Sequence, residues 1–355
     1  MTTANELADL TSLANDIFAS TTQSGTLAGA VTFDEPVWRA LEGAGLTLLT
    51  APEDAGGSGA GLREWAAVMR ASGAACAALP LAETDLLASW LLVEAGAEIP
   101  SGPLTATVGS GQRNGRSVSG RFARVPWGSC VEQVVALIDT GDEVIIGSGV
   151  PTDIELGHNV AYEPRDTVTI ELTDPIVVNR SVVDEFRVRG ALCRAVQISG
   201  ALERALASAV EHAKSRVQFG RALGKFQAVQ HLVAEAAGEV AVVCTAVDVA
   251  VDVAENSGFG SPETELAVAI ARSCAGRAAE IVSRNAHQVH GAIGFTLEHD
   301  LRLSTMRALS WRDEFGSSKE WDIVVGRFAR DRMTDEFGMW RLLAGEAADI
   351  RQPPL

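Results

Sequence analysis

The chain has 355 residues, of which 47% are hydrophobic and 21% are charged, a globular composition with enough material for about two or three packed units. Its formal net charge is −17, and no run of Lys or Arg is long enough to follow a phosphate backbone, which excludes nucleic acid as a partner. No uncharged apolar stretch reaches the roughly 18 residues that a membrane helix requires, so we expect no membrane insertion.

The cysteines and the first residues indicate a compartment. Five cysteines are scattered without the paired spacing of a zinc site or a redox motif, which is typical of buried free thiols in a reducing environment. The N-terminal residues include acidic side chains and no basic segment of the kind that begins a secretion signal. We therefore expect a cytoplasmic protein.

The first part of the chain has a helical hydrophobic period. The pattern is interrupted at residues 51–59, where clustered glycines and a proline predict a loop. Residues 1–100 are thus predicted to form an N-terminal α-helical domain.

Residues 101–188 show the shorter period of β-strands. Residues 134–138 form an apolar run, and apolar and polar side chains alternate through residues 167–172, as one covered face of a sheet requires. Asn114-Gly115 is a hairpin signal that follows the strand pattern of residues 105–108. This part is predicted to be a middle β-domain.

Helical periodicity returns after Arg189, so residues 189–355 are predicted to form a C-terminal helical bundle. Between Phe226 and Val251 apolar residues recur every three or four positions, which predicts one buried stripe. Ser261 is a plausible N-cap for the next helix, with Pro262 in the first helical position. The predicted buried line of that helix is Leu266, Ile270, Cys274, Ala278 and Ile281.

Two segments of the predicted bundle carry residues suited to a dinucleotide. Arg216 ends one helix just before a turn, and its guanidinium is a bidentate partner for phosphate oxygens. Gly291 and Gly294 follow another helix, where they allow close approach of the backbone to a ligand. Together the two segments predict a clamp for a dinucleotide.

These segments resemble the hallmarks of the acyl-CoA dehydrogenase family, Arg-x-x-Phe-Gly with a downstream Phe-Gln, and Gln-x-x-Gly-Gly-x-Gly-Phe. The matching residues are Arg216, Phe219, Gly220, Phe226 and Gln227 in the first segment, and Gln288, Gly291, Gly294 and Phe295 in the second, with Ala292 replacing one glycine. The resemblance covers nearly the whole chain. It implies an α+β multi-domain fold with an N-terminal α-helical domain, a middle β-sheet domain and a C-terminal helical bundle.

The resemblance also implies a cofactor and a reaction. In that family the two segments hold the pyrophosphate and adenine of FAD across a subunit boundary, which assigns FAD binding here to Arg216, Phe219, Gln227, Gln288, Gly291 and Ala292. The reaction is α,β-dehydrogenation of an acyl-CoA thioester: a carboxylate base removes the α-proton while the β-hydrogen leaves as hydride to the flavin. An electron-transfer flavoprotein or a similar acceptor would reoxidise the flavin. The alternative is that these residues are helix caps and turns of an ordinary bundle.

The usual base is missing from the position where the family carries it. The commonest subgroup has a Glu about 20 residues after the Gly-Phe pair, where this chain has Phe315, followed by Gly316. A second subgroup has its base about 29 residues ahead of the Phe-Gly pair, where this chain has Gly190. Glu314 is the candidate catalytic base, although one residue on a helix turns a side chain by about 100°. The alternative is that Asp313 and Glu314 are solvated charges at the start of a turn.

The entry to the strands also departs from the family pattern. Members usually carry a Thr-Glu-x-x-x-Gly-Ser-Asp-like segment that hydrogen-bonds the flavin and covers the acyl site, whereas residues 97–105 form a shortened segment without the Gly-Ser-Asp element. We therefore expect this chain's own flavin-ring and thioester pocket to be degraded, while the half that binds a neighbour's FAD tail is intact.

Some acyl-CoA dehydrogenases of actinobacterial steroid catabolism are similar, with two unlike chains in an α2β2 heterotetramer whose active sites lie at unlike interfaces. The leading hypothesis is that this chain lends Arg216, Gln227, Gln288 and the Gly291 turn to FAD, and that a second acyl-CoA dehydrogenase-like subunit supplies the catalytic Glu for an acyl-CoA substrate. The alternatives are a self-sufficient homo-oligomer that uses Glu314, a non-catalytic scaffold that binds no flavin, and other flavin chemistry such as hydroxylation or nitro-group oxidation.

Histidines and tryptophans near these segments have simpler interpretations. His287, His290 and His299 share no metal-binding spacing with an acidic or thiol residue, so they are predicted to make helix-end contacts to carbonyls rather than to bind a metal. Trp311 and Trp321 bracket the base position and are predicted to be core anchors. An enlarged apolar pocket for a polycyclic acyl group is the alternative.

Overall fold

Helices begin the chain, as predicted. The computed structural model describes residues 4–20 and 31–332. The first helices are α1 (Ala4–Phe18), α2 (Glu35–Gly43), α3 (Leu62–Ala75) and α4 (Trp90–Glu94), the last continuing from a π-helical segment, Glu83–Ser89. The predicted loop at residues 51–59 is confirmed between α2 and α3, with only a short 3-10 turn in it.

A buried carboxylate fixes the start of this loop. Asp85 of the π-helical segment accepts hydrogen bonds from the backbone N–H groups of Leu49 and Thr50, each at 3.0 Å, and from the Thr50 hydroxyl at 2.9 Å. Burial raises the pKa of Asp85 to about 7, although the Thr50 hydroxyl and these N–H groups lower it. The loop is therefore tied to the helices by side-chain acceptors rather than by a strand ladder.

Eight strands follow and form two four-stranded sheets. One sheet has the order β1-β4-β5-β8, with strands Leu104–Ser110, Gln133–Asp139, Val144–Gly149 and Ile176–Val178. The other has the order β2-β3-β7-β6, with strands Gln112–Asn114, Ser117–Pro126, Arg165–Thr173 and Asp153–Glu155. Only β1 and β4 pair in parallel among these described strands; the other pairs are antiparallel.

The predicted strand features are present, with one change of partner. Asn114 pairs with Ser117 across the predicted hairpin, but its first strand is β2, because the strand at residues 105–108 belongs to β1 and pairs with β4 instead. In β7, Val168, Ile170 and Leu172 are buried while the residues between them are more exposed. The predicted alternation is therefore confirmed.

Helices then return earlier than the sequence predicts. Up to residue 332, where the described part ends, the helices are α5 (Ser181–Ser215), α6 (Gln227–Ser257), α7 (Pro262–His290), α8 (Leu301–Trp311) and α9 (Ser318–Arg332). A small hairpin, β9 (Val217–Gln218) with β10 (Arg221–Ala222), lies between α5 and α6. The boundary at residue 188 is too late, since α5 starts inside the segment assigned to strands. β-Branched and aromatic residues such as Val182, Val183 and Phe186 hid this first helical part.

Helix α7 confirms the predicted cap, but its predicted buried face is wrong. The Ser261 hydroxyl accepts from the Thr264 backbone N–H at 3.1 Å, with Pro262 in the first turn. The most buried side of α7 consists of small residues such as Ala271, Ala275 and Ala279, whereas of the predicted line only Ala278 is buried. Large apolar residues lie at the edge of this face because the helices pack closely on alanine.

The buried apolar residues of the described segments form three clusters. The largest runs through the helices from α1 to α9. A second fills the space between the two sheets, and a third packs the outer face of the first sheet against α4 and the start of α5. Among the helices of the described residues, none has the length and apolarity of a membrane-spanning segment.

Candidate active site and dinucleotide surface

The two positions where the family carries its base lie against each other. A Cβ atom added at Gly190 of α5 would lie 2.2 Å from the ring of Phe315. Phe186, one turn earlier on α5, packs on the same ring with centroids 5.9 Å apart. Both family positions are thus occupied by a glycine and an aromatic ring in contact, and neither can accept a proton.

Arg272 of α7 holds the turn that carries Phe315 by hydrogen bonds to its carbonyl groups. One nitrogen of this buried guanidinium, Nη2, donates to the carbonyls of Arg312 and Glu314 at 2.8 Å each and of Gly316 at 3.0 Å. Burial lowers the pKa of Arg272 to about 10. Phe315 itself has a φ of 56°, a region that bulky residues seldom adopt and that is typical of functional positions.

Glu314, the candidate base, is bound by two arginines. Its Oε1 accepts from Nε of Arg165 and its Oε2 from Nε of Arg194, both at 2.7 Å. Burial would raise the pKa of Glu314, but the two guanidinium groups outweigh burial and lower the pKa to about 2. A carboxylate stabilised in this way is a poor proton acceptor near neutral pH, so the structure does not favour Glu314 as the base.

The ion pairs of Glu314 continue in both directions through the interior. Arg194 also donates to Glu83 of the π-helical segment at 2.5 Å, and Arg165 contacts Glu163 at 3.3 Å. We call the set Glu83, Arg194, Glu314, Arg165, Glu163 and Arg307 the buried charge chain, because Arg307 of α8 closes it with a bond to Glu163 at 3.0 Å. It joins the N-terminal helices, the sheets and the C-terminal helices.

The two tryptophans that bracket the base position are core residues. Trp311 is buried and its indole N–H donates to Glu163 at 2.8 Å. Trp321 is fully buried, with the Arg187 guanidinium 4.4 Å from its ring centroid. The prediction of core anchors is confirmed for both.

A small cavity of about 240 Å³ separates Phe315 from the sheets. It is lined by β1, by β3 around Arg124, and by residues 313–315. Arg124 has a φ of 60°. Phe315 lines this space from the helical side.

The six predicted FAD-binding residues lie at one end of the bundle. Helix α5 ends at Arg216, α6 begins at Gln227, and α7 ends just before Gly291. Asn285 near the end of α7 donates to the Leu232 carbonyl near the start of α6 at 3.0 Å, which holds these ends together. The structure therefore brings the two sequence segments into one region.

The hairpin after Arg216 presents an aromatic side chain to solvent. Phe219 is 86% exposed and has a φ of 54°, next to Gly220 with a φ of 79°, the two positive values that a tight hairpin turn requires. Phe226 contacts its ring edge-on at 6.1 Å. An exposed, strained aromatic residue is typical of a contact site.

The remaining members of the set are exposed as well. Within residues 4–20 and 31–332, no carboxylate pairs with the guanidinium of Arg216. The side chains of Gln227 and Gln288 are exposed, as are Gly291 and Ala292. Gly291 has φ 65° and ψ −144°, a conformation open to glycine alone. An unpaired arginine, two free amides and a bare backbone turn fit an anionic dinucleotide.

Sequence reasoning missed the buried charge chain. Its one visible signal is Arg194 within the otherwise small and apolar run from Gly190 to Val196, because a charged residue on a buried helix face requires a partner. In the part of the chain that the structure describes, no group of three or more His, Cys, Asp or Glu is arranged to hold a metal ion. The predicted contact to a helix-end carbonyl is confirmed for His290, whose Nδ1 donates to Ala286 at 2.8 Å. It is wrong for the other two, since Nε2 of His287 bonds to the Thr305 hydroxyl and Nδ1 of His299 accepts from the Leu301 backbone N–H, each at 3.0 Å.

Comparisons with known proteins agree with this architecture. The family model "Acyl-CoA dehydrogenase, C-terminal domain" matches residues 182–319, and "Acyl-CoA dehydrogenase, N-terminal domain" matches residues 22–99. The chain is 30% identical over 288 residues to acyl-CoA dehydrogenase IpdE2 of Mycobacterium tuberculosis, covering 78% of this chain and 81% of that protein. It is 29% identical over 311 residues to acyl-CoA dehydrogenase FadE27 of the same organism, covering 75% and 80%.

Two solved structures share the fold over nearly their whole length. The Tcur3481-Tcur3483 steroid ACAD variant has a TM-score of 0.82 at 22% identity, covering 92% of this chain and 98% of that chain. The ChsE4-ChsE5 complex from Mycobacterium tuberculosis has a TM-score of 0.81 at 23% identity, covering 93% and 98%. The chain belongs to the acyl-CoA dehydrogenase family, a family of flavin-dependent oxidoreductases.

Proposed function

We propose that this chain is one subunit of a FAD-dependent acyl-CoA dehydrogenase, in which it holds the tail of FAD and an unlike partner subunit supplies the catalytic carboxylate. The observation that carries the proposal is the contact between Phe315 and Gly190. Both positions where family members place the base are filled, and the neighbouring Glu314 is bound by two arginines.

We infer from the Phe315 contacts that the space beside the two base positions of this chain does not take the acyl group. Phe186 of α5 packs on Phe315. Further along α5, Arg194 pairs with Glu83 of the π-helical segment. Opening this space for an acyl chain would expose a buried pair or leave one charge unpaired, which costs several kcal/mol, about 3–5. Substrate therefore has its site elsewhere, in the partner subunit.

The exposed end of the bundle is the part of this chain that fits FAD. Arg216 would pair with the diphosphate, Phe219 would cover the dinucleotide, and the amides of Gln227 and Gln288 would bond its polar atoms, while Gly291 and Ala292 let the backbone approach. Bound FAD supplies the hydride acceptor for the β-hydrogen of the acyl-CoA. The work of this chain is to bind and orient, since proton removal belongs to the partner.

Unlike subunits and a steroid-derived acyl group are supported by the relatives of the fold. ChsE4-ChsE5 is a complex of two differently named chains, and Tcur3481-Tcur3483 is a steroid ACAD. We extend both properties to this chain as part of the proposal, with an electron-transfer flavoprotein or a similar protein as the electron acceptor.

Flavin content of the purified complex tests this assignment. Arg216→Gln is expected to remove most of the bound FAD while the circular dichroism spectrum and the association with the partner subunit stay unchanged. Arg221→Gln is the matched control, because Arg221 lies in the same hairpin and stacks on Phe226 with 4.1 Å between its Cζ and the ring centroid. Unchanged flavin content of the Arg216→Gln complex would contradict the proposed binding site. It would favour a scaffold role, in which this chain itself binds no flavin.

A further inference from the structure

Four histidines meet at the end of the bundle that carries the dinucleotide surface. The ring centroid of His212, in the last turn of α5, lies 4.5 Å from that of His290, the last residue of α7. His299 packs on the other side of His290 at 4.7 Å. His287, one turn before His290, stacks on Phe295 at 4.6 Å. We call these four residues the histidine cluster.

The histidine cluster is adjacent to the proposed cofactor contacts. The Arg216 backbone N–H donates to the carbonyl of His212 at 2.9 Å, and His290 immediately precedes Gly291. The His212–His290 pair therefore links the two segments that would hold the diphosphate. A charge on either ring would be close to any anion bound between Arg216 and Gly291.

Hydrogen bonds give His290 two partners whether its ring is neutral or charged. Because a carbonyl can only accept, Nδ1 of His290 carries a proton that it donates to Ala286 at 2.8 Å. Nε2 lies 3.2 Å from the Ser208 hydroxyl, which can donate to a neutral ring or accept from a charged one. His299 accepts at Nδ1 from the Leu301 backbone N–H at 3.0 Å. Nε2 of His290 can therefore take up a proton without losing its hydrogen bond.

The surroundings of His212 and His290 oppose a positive charge on these two rings in the free chain. Burial, and then His299 and Arg216, lower the pKa of His212. Burial, and then His212, His299 and His287, lower the pKa of His290. The carboxylates nearest in sequence are Glu211 on α5 and Glu298 and Asp300 beside His299, and the cations are Lys214 and Arg302.

We propose that the histidine cluster is a proton-accepting part of the dinucleotide site, so that binding of the FAD diphosphate is coupled to the uptake of protons from solvent by His212 and His290. The inference rests on the proposed function, since it takes the diphosphate to lie between Arg216 and Gly291. The Ser208 hydroxyl can rotate to accept from a protonated Nε2 of His290, so the charged ring keeps both hydrogen bonds.

The coupling has a definite sign. A bound diphosphate favours the charged form of a nearby imidazole and so raises its pKa. Between the pKa values of the free and the bound state, binding takes up protons, and FAD affinity rises as pH falls, by up to ~10-fold per pH unit for each proton taken up. Above that range both states are neutral and affinity no longer depends on these rings.

Isothermal titration of FAD into the flavin-stripped complex of this chain with its partner subunit tests the inference, in two buffers of low and high ionisation enthalpy at the same pH below neutrality. The expected result is a binding enthalpy that depends on the buffer in the direction of proton uptake. His212→Asn combined with His290→Asn should abolish that dependence, whereas His158→Asn in the sheet region should leave it unchanged.

The outcomes separate the two proposals. FAD binding with the same enthalpy in both buffers would overturn proton coupling and leave the proposed function standing. Absence of FAD binding by the wild-type complex would overturn the proposed function itself. The wild-type measurement alone decides between these two results, and a buffer dependence that persists in the double variant would overturn the assignment to His212 and His290.

Discussion

Nε of Arg194 lies 2.7 Å from Oε2 of Glu314, and this bond joins helix α5 to the turn that carries Phe315. The partner oxygen of the same carboxylate is held by Arg165. Glu314 thus connects the sheets to the bundle as the central link of the buried charge chain, one residue from the position where the family's base stands. Its surroundings favour an architectural role over proton transfer.

The first prediction concerns Glu314 itself. Glu314→Gln leaves Arg165 and Arg194 without their shared counter-charge, so we expect the free energy of unfolding to fall by about 3–5 kcal/mol. The rate of flavin reduction by acyl-CoA in the complex should stay within a few-fold of wild type at temperatures where the variant is folded. Stopped-flow absorbance measures that rate, and Asp313→Asn, a change at the adjacent exposed carboxylate, is the matched control. A fall in rate of more than about 100-fold with the fold intact would identify Glu314 as the base.

A second prediction tests the contact that replaces the base. Gly190→Ala places a methyl group 2.2 Å from the Phe315 ring, and such overpacking costs about 1–3 kcal/mol. Gly238→Ala on the exposed side of α6 meets no atom within 4 Å and should stabilise the chain by about 0.5–1 kcal/mol. Urea unfolding compares the two. Combining Gly190→Ala with Phe315→Ala should recover part of the loss, and a loss that the second change leaves intact would show that the two residues are not in contact.

Acid stability follows from the lowered pKa of Glu314. The folded-state pKa of about 2 is below the ordinary value of 4.5, so its ion pairs contribute fully above pH 4.5 and the contribution is lost as pH falls towards 2. The loss is on the order of 3 kcal/mol for this group. As pH is lowered through this range, the free energy of unfolding should decrease more steeply in the wild type than in Glu314→Gln. Parallel slopes would contradict the ion pairing.

A change at the exposed tip of the hairpin should weaken flavin binding with little effect on stability. Phe219→Gly removes a strained φ at a site where the side chain is 86% exposed, so we expect the free energy of unfolding to stay within about 1 kcal/mol of wild type. Flavin retention on gel filtration of the complex should nevertheless decrease. Phe33, which contacts Trp38 at 6.1 Å and lies outside this region, gives a control in which Phe33→Leu keeps the flavin.

Patterns that arise from local chemistry were readable from the sequence. The loop at residues 51–59, the hairpin at Asn114-Gly115 and the cap at Ser261 depend on a few adjacent residues, and the structure has all three. The two segments proposed to bind a dinucleotide were predicted in the same way, because each is a short run of charged, aromatic and glycine residues, and their binding role stays a prediction.

Features that depend on distant residues were not readable. Glu314 meets Arg165 and Arg194, which are 149 and 120 positions away in the chain, and no spacing rule predicts such a pairing. The contact of Phe315 with Gly190 is equally remote, although counting along the family motifs reached both residues separately. The start of α5 was misread because β-branched residues on a buried helix face resemble a strand.

We propose that this chain contributes the FAD tail site while a partner contributes the base. The most direct test is the visible absorption spectrum of the chain purified alone and after co-expression with an acyl-CoA dehydrogenase-like subunit that carries the catalytic Glu. We predict a colourless chain alone, and a yellow complex with one FAD for each pair of unlike chains that acyl-CoA bleaches. A yellow chain that acyl-CoA bleaches in the absence of any partner would contradict the claim.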